Sequence, residues 1–314
     1  MTPRVRPTRA LPAVWRPARS FETRRRVSIR SDEETTLTTD ARPPLSRLSF
    51  LALSLLFVAS GAATAQARPG GGDDAAELAK KLSNPVSSLI SVPLQNNWDA
   101  GVGTNDVTKY TLNFQPVIPI SLGERWNLIT RTIVPYVSFA SPAPGAPGAG
   151  GLGDTMQSFF FSPKAPTKGG WMMGGGPVVL YPTATSRSTG SGKWGAGPTL
   201  VLLKQESGWT YGILANHVWS FAGPESRANV SATFLQPFVS YMTKSCTTFG
   251  VNTESTYDWA GSQWSIPLNA TVTQLLKVAG RPVSLTLGGR AWAKTPAGGP
   301  DWGLRFVVTF LFPE

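Results

Sequence analysis

The chain has 314 residues, of which 15% are charged, with 32 glycines, 27 prolines and 11 tryptophans. Few charges together with many glycines and prolines disfavour a helical soluble protein and favour many strands joined by turns. The formal net charge of +11 is divided between residues 1–67 (11 arginines, 5 acids) and residues 68–314 (18 basic, 13 acidic), so no concentrated basic surface indicates nucleic-acid binding.

The N-terminal region has the pattern of a secretory signal peptide. Residues 1–47 are rich in arginine and proline and are predicted to be a disordered basic extension; a start codon assigned too far upstream would also explain them. An apolar stretch at 48–59 leads to small residues, and cleavage after Ala65 or Ala67 makes 48–67 the signal peptide. A transmembrane anchor fits less well, because a spanning helix needs about 20 apolar residues.

Residues 68–85 contain one predicted helix, Asp73–Leu82, with acids at its start and apolar residues on one side. The sequence leaves two positions open for it: a plug below a barrel, or a segment in the periplasm.

Residues 86–314 show the alternation of two-faced strands. Between 108 and 120, for example, Tyr110, Leu112 and Phe114 alternate with polar residues, so apolar side chains share one face. Several segments reach 10 to 13 residues, and tilted membrane strands need about 9–11. The alternation predicts an all-β antiparallel transmembrane barrel with about twelve strands, at 86–97, 108–120, 126–139, 154–163, 170–182, 193–204, 209–221, 229–243, 247–259, 263–276, 282–293 and 301–312. A soluble β-sandwich or propeller is the alternative.

The connections and the aromatic residues point to the outer membrane of a bacterium. Links after even-numbered strands are short, and those after strands 1, 3, 5, 7 and 11 are longer, including a flexible run at 140–153. Outer-membrane barrels have short periplasmic turns and longer outer loops. Ten tryptophans lie near predicted strand ends, as in aromatic girdles: Trp98, Trp126, Trp171, Trp194, Trp209, Trp219, Trp259, Trp264, Trp292 and Trp302.

Two runs resemble a known family. Residues 75–99, read as AAELAKKLSNP followed by SLISVPLQNNWD, and residues 151–163, with GLGD before FFFSP, are similar to the bacterial family named after the MetA pathway of phenol degradation. The resemblance covers essentially residues 75–314. It implies an outer-membrane transporter-like barrel that passes small or aromatic compounds. The end of the chain departs from the usual aromatic insertion signal, because Pro313 and Glu314 follow Phe312.

The polar parity of the strands is expected to face the lumen, since an arginine or lysine facing lipid at the midplane costs about 2–4 kcal/mol. These side chains would filter solutes, or they would form ion pairs, such as Glu254 with Arg290, that fill a narrow lumen. The predicted lining residues are Asn113, Gln115, Arg131, Asn252, Glu254, Asp258, Asn269, Arg290 and Arg305.

Catalytic, metal and cofactor sites are not predicted. His217 is the only histidine and Cys246 the only cysteine, so no ligand or triad spacing is present. The favoured function is a passive outer-membrane channel for small, hydrophobic or aromatic solutes. A closed structural or ligand-binding barrel is the alternative, and a lipid enzyme that uses His217 is a weaker one. The expected partners are outer-membrane lipid, a small-molecule solute and the barrel-insertion machinery.

Overall fold

A computed structural model describes residues 72–313, and they form a closed antiparallel β-barrel of twelve crossings with one short helix. The predicted fold class is confirmed. The predicted basic extension, the signal peptide and residues 68–71 lie outside the described residues.

The helix α1 spans Gly72–Leu82, as predicted to within one residue. Fifteen strands follow: β1 Ile90–Val102, β2 Val107–Phe114, β3 Val117–Leu122, β4 Trp126–Phe139, β5 Ala149–Leu152, β6 Thr155–Pro163, β7 Trp171–Tyr181, β8 Trp194–Glu206, β9 Trp209–Ala222, β10 Ser231–Met242, β11 Thr247–Thr253, β12 Ser255–Asp258, β13 Gln263–Val278, β14 Arg281–Lys294 and β15 Trp302–Phe312. In three places two strands continue one another across a short break, namely β2 with β3, β5 with β6, and β11 with β12, which leaves twelve crossings.

The first and last strands close the barrel. β15 pairs with β1 in an unbroken antiparallel register from Ile90 opposite Phe312 to Ala100 opposite Trp302. All other crossings pair with their neighbours along the chain. Closure satisfies the backbone groups that an open sheet edge would expose, which a strand structure in hydrocarbon requires. No helix among residues 72–313 is long and apolar enough to cross a membrane.

Two segments differ from their predicted structure. The first strand was predicted at 86–97 but begins at Ile90 and ends at Val102, because Val86 leaves the barrel wall and packs among interior side chains. The run 140–153 was predicted to be a flexible loop, yet β5 in its second half pairs with β4, with Ala149 opposite Phe139. Backbone pairing of this kind needs no apolar pattern, so glycine-rich β5 gave no alternation to read.

The loops follow the predicted asymmetry with one exception. At one end of the barrel, called here the short-turn end, links such as 207–208 and 279–280 are tight. At the other, the long-loop end, residues 140–148, 182–193 and 223–230 form longer links. The first link, 103–106, is short although a long one was predicted, because β1 and β2 extend into it.

The outer face of the barrel is apolar and carries aromatic residues at both ends. Exposed tryptophans include Trp126, Trp171 and Trp209 at the short-turn end and Trp98 and Trp219 at the long-loop end. The eleven residues of β7, at about 3.3 Å per residue and a tilt of about 40°, cover roughly 25 Å, which is the height of the apolar band of outer-membrane barrels.

Trp292 does not belong to this outer set. It shares the inward face of β14 with Arg290, whose guanidinium carbon lies 4.8 Å from the centre of the Trp292 ring. The indole nitrogen donates to Ser265. A cation–π contact therefore holds this tryptophan inside.

Helix α1 occupies the short-turn mouth of the barrel. Ala75 and Ala79, one turn apart, are buried against Leu89, Leu275 and Leu311, and Leu275 and Leu311 face inward by strand register. The amide of Gln205 donates to the backbone carbonyl of Lys80 at 2.9 Å. Helix α1 thus packs against inward-facing residues of the barrel mouth.

The exposed side of α1 carries an ion pair. Lys81 lies 2.8 Å from Glu77, one helical turn away, and its hydrogen bond and charge lower the pKa of the Glu77 carboxyl. The two lysines of the last turn also suit the negative end of the helix dipole.

Candidate functional site in the barrel interior

Inward-facing side chains are identified by register and burial. On β15, Arg305, Val307, Thr309 and Leu311 are buried, whereas the alternate residues such as Leu304 are exposed. Carried through the paired strands, this parity gives the predicted lining residues the inward face, except that Asp258 is exposed at the end of β12.

Four charged residues form a compact cluster, here called the ion-pair layer: Asp99, Glu254, Arg290 and Arg305. Arg305 donates through both terminal nitrogens to the two carboxylate oxygens of Glu254, each at 2.8 Å. Arg290 lies 2.7 Å from Asp99 and 3.6 Å from Glu254. Both arginines are nearly buried, at 9% and 5% side-chain exposure.

Asparagines extend the layer around the wall. The Nε atoms of the two arginines donate to Asn269 at 3.0 Å and to Asn97 at 2.8 Å, and Asn269 donates to Asn252 at 2.8 Å. Charge pairing and neutral acceptors together satisfy groups that would be costly to bury alone. Three members of the layer lie within four residues of the long-loop ends of β1, β14 and β15.

The remaining predicted residues take different positions. Arg131 donates to Gln115 at 2.9 Å and belongs to none of the ion pairs within residues 72–313. Asn113 lies opposite Gln95 on the inward face. Asp258 is exposed at the long-loop end, where its carboxylate accepts the backbone N–H of Ala260 and caps the turn at 3.0 Å. The structure thus brings five of the nine together, namely Asn252, Glu254, Asn269, Arg290 and Arg305.

Asp99 and Asn97 are functional-site residues that the sequence analysis missed. Asp99 fell in a predicted loop because the first strand was ended at residue 97. Its parity matches that of Asn97 and the buried Ser91, so extending the alternation by two residues would have found it.

The opposite side of the interior is apolar, and we call it the apolar wall. Ile129, Phe160, Val201, Leu203 and Leu214 pack together with Val86 of the N-terminal segment. Gly174 makes room for Val86, since a Cβ there would lie 3.2 Å from it. The interior therefore presents an apolar side on β4, β6, β8 and β9 and a polar side on β11, β13, β14, β15 and β1.

The cavities near the short-turn end include two beside the interior side chains. One of about 330 Å³ lies between α1, represented by Ala79 and Leu82, and the interior residues Arg131 and Asn252. A second, of about 440 Å³, lies beside Val86, Lys81 and Lys164. Twelve crossings place the barrel between eight-stranded barrels filled by side chains and porins with open channels, and this interior is partly filled.

At the long-loop end, two loops are bound to the wall. The carboxylate of Asp154, between β5 and β6, accepts hydrogen bonds from the hydroxyl of Ser191 at 2.6 Å and from the backbone N–H of Ala184 at 3.1 Å. Arg227 donates to the backbone carbonyl of Ser191 at 2.7 Å. Residues 182–193 and 223–230 are thereby joined to each other and to the β5–β6 break.

His217 faces outward, away from the interior. Its Nδ1 lies 2.7 Å from the hydroxyl of Thr233, which also accepts the indole N–H of Trp259, and the ring centre is 4.0 Å from that of Trp219. Within residues 72–313 its one hydrogen-bond partner is therefore a threonine, and no group of three or more potential metal ligands occurs there.

Comparison with solved structures finds an outer-membrane channel of similar fold. An outer membrane channel from Pseudomonas putida F1 matches with a TM-score of 0.56 at 14% sequence identity, over 71% of this chain and 94% of that chain. The NanC porin matches with a TM-score of 0.44 at 12% identity, over 70% and 98% of the two chains. The likeness to the Pseudomonas putida channel concerns the fold alone. No family model and no curated protein matches the sequence, so the resemblance to the phenol-degradation family stays a prediction.

Proposed function

We propose that this protein is an outer-membrane channel for small solutes, with hydrophobic or aromatic compounds as the solute class. The observation that carries the proposal is the reversal of polarity across the wall. Leu304 and Phe310 are exposed on the outer face of β15, whereas Arg305 between them is buried and ion-paired inside. A soluble barrel would have polar residues outside and apolar residues inside. A barrel embedded in lipid requires an apolar outer face, as found here.

The interior suits solutes with an apolar part. Its apolar wall offers contacts to the apolar part of a solute, and the ion-pair layer offers charged groups nearer the long-loop end. Partners in this proposal are outer-membrane lipid, the solute and the machinery that inserts barrels.

The decisive experiment is the conductance of the purified full chain in planar bilayers, with small aromatic compounds added as blockers. Discrete current steps with solute-dependent block are expected. A folded barrel, recognised by faster gel migration before heating, that gives neither steps nor block would refute the proposal.

A closed barrel without transport is the second candidate, and the position of α1 favours it. Ala75 and Ala79 are buried in the short-turn mouth, and the ion-pair layer occupies the polar side of the interior nearer the long-loop end. Removal of residues 72–82 separates the two candidates: a channel that α1 obstructs gains conductance, whereas a barrel closed by the ion-pair layer does not.

A lipid enzyme that uses His217 has a direct test as well. Hydrolysis of phospholipid by the purified chain that is lost in His217→Ala would establish it. We expect no such activity, because His217 contacts the hydroxyl of Thr233, which already accepts a hydrogen bond from the indole N–H of Trp259.

A further inference from the structure

Arg131 differs from the other interior arginines in having a neutral partner. Arg290 and Arg305 each contact a carboxylate. For Arg131, the one side-chain hydrogen bond within residues 72–313 is to the amide oxygen of Gln115, and none of the ion pairs in that range includes it. An arginine carries five N–H donors, so most of its hydrogen-bonding capacity remains available.

The interior holds more positive than negative side chains, and this arginine is part of the excess. Glu254 is held by both terminal nitrogens of Arg305, and Asp99 is held by Arg290. Three arginines and Lys109 thus face two carboxylates, and Arg131 is the one of these three arginines that forms no ion pair within residues 72–313. A positive charge in a mostly protein-lined space is stabilised by an anion that can reach it.

Arg131 lines the cavity of about 330 Å³, which is close to the lower limit of the ~300–1,000 Å³ of small-ligand sites. Leu82, Leu214 and Phe238 form an apolar side of this cavity. The other side is formed by hydroxyl and amide groups: Thr248, Asn252, Thr271, Thr273, Ser284, Thr286 and Thr309.

We infer that this cavity binds a small organic carboxylate with an apolar body, with Arg131 as the residue that binds the carboxylate. The guanidinium pairs with both carboxylate oxygens, the apolar body contacts Leu214 and Phe238, and threonine hydroxyls complete the polar side. This inference rests on the proposed function, because the carboxylate bound at Arg131 would be a solute of the proposed channel.

The test uses the full chain purified in detergent and benzoate as the probe. Titration calorimetry should detect benzoate binding, with acetate weaker because it lacks the apolar body and benzamide weaker because it lacks the charge. Arg131→Gln should weaken benzoate binding by about 10- to 100-fold, the usual loss of hydrogen bonds to a charged group. Arg131→Lys, which keeps the charge, should retain part of the affinity.

The matched control is Lys109→Gln, which removes another positive charge from an inward position, opposite Asp99, that does not line the cavity. Its benzoate affinity should equal that of the wild type. Equal binding by wild type and a correctly folded Arg131→Gln, or equal binding of benzoate and benzamide, would overturn the inference.

Failure of the inference and failure of the channel are distinguishable. Conductance without benzoate binding would refute the carboxylate site and support the channel. Arg131-dependent binding without conductance supports the site and refutes the channel.

Discussion

Replacement of Glu254 by glutamine tests the energetics of the ion-pair layer. The variant keeps the size of the side chain but leaves Arg305 with a neutral acceptor at Asn97 and one amide oxygen in place of two charged contacts. Arg290 keeps Asp99. The interior then holds three arginines against one carboxylate.

Breaking a buried ion pair by removing one partner costs about 3–5 kcal/mol. Glu254 has 21% side-chain exposure, so water replaces part of the loss and we expect the lower end, about 3 kcal/mol. This corresponds to about a 100-fold change in the folding equilibrium.

The assay is reversible urea unfolding in lipid vesicles, followed by tryptophan emission. Asp258→Asn is the matched control, because this nearby acid is exposed and caps only a turn; it should change the unfolding free energy by less than about 0.5 kcal/mol. Combining Glu254→Leu with Arg305→Met should recover most of the lost stability, since replacing both partners of a buried pair is often neutral. A value for Glu254→Gln within about 0.5 kcal/mol of the wild type would refute the reasoning, because it would mean that water already solvates both arginines.

Three further predictions concern the helix and the wall. Removal of α1 should raise the rate of maleimide labelling of Cys246, the only cysteine, because Cys246 packs against the cluster that holds α1; an unchanged rate would place α1 elsewhere in the membrane-bound protein. Ala79→Glu should produce the same increase in the intact chain, since Ala79 is buried at 4% exposure and a carboxylate cannot be accommodated there. Gly197→Ala should destabilise the barrel by about 1–3 kcal/mol, because its Cβ would clash with the carbonyl oxygen of His217. Gly289→Ala, where a Cβ meets no atom within 4 Å, should leave the urea midpoint unchanged, and equal effects of the two glycine variants would contradict the close strand approach.

Much of the fold was predictable because alternation is a local property. Two faces can be assigned from the alternation of Tyr110, Leu112 and Phe114 with Thr111 and Asn113. Alternating segments of 10 to 13 residues then favour membrane-spanning strands over the shorter strands of soluble proteins. The strand count and helix α1 followed from such patterns. The wrong predictions also had local causes. Strand β5 lacks alternation, and Val86 was assigned to the first strand although it packs inside the barrel.

The partners of the interior charges depended on the tertiary structure. Arg305 meets Asn97 and Glu254 only because the barrel closes between β15 and β1 and because register sets the height of each residue. Parity predicts that a side chain points inward, but it carries no information on which other inward side chain lies at the same level. Arg131 shows this most clearly, since its hydrogen bond to Gln115 instead of a carboxylate follows from the stagger of the strands and not from any feature of its own segment.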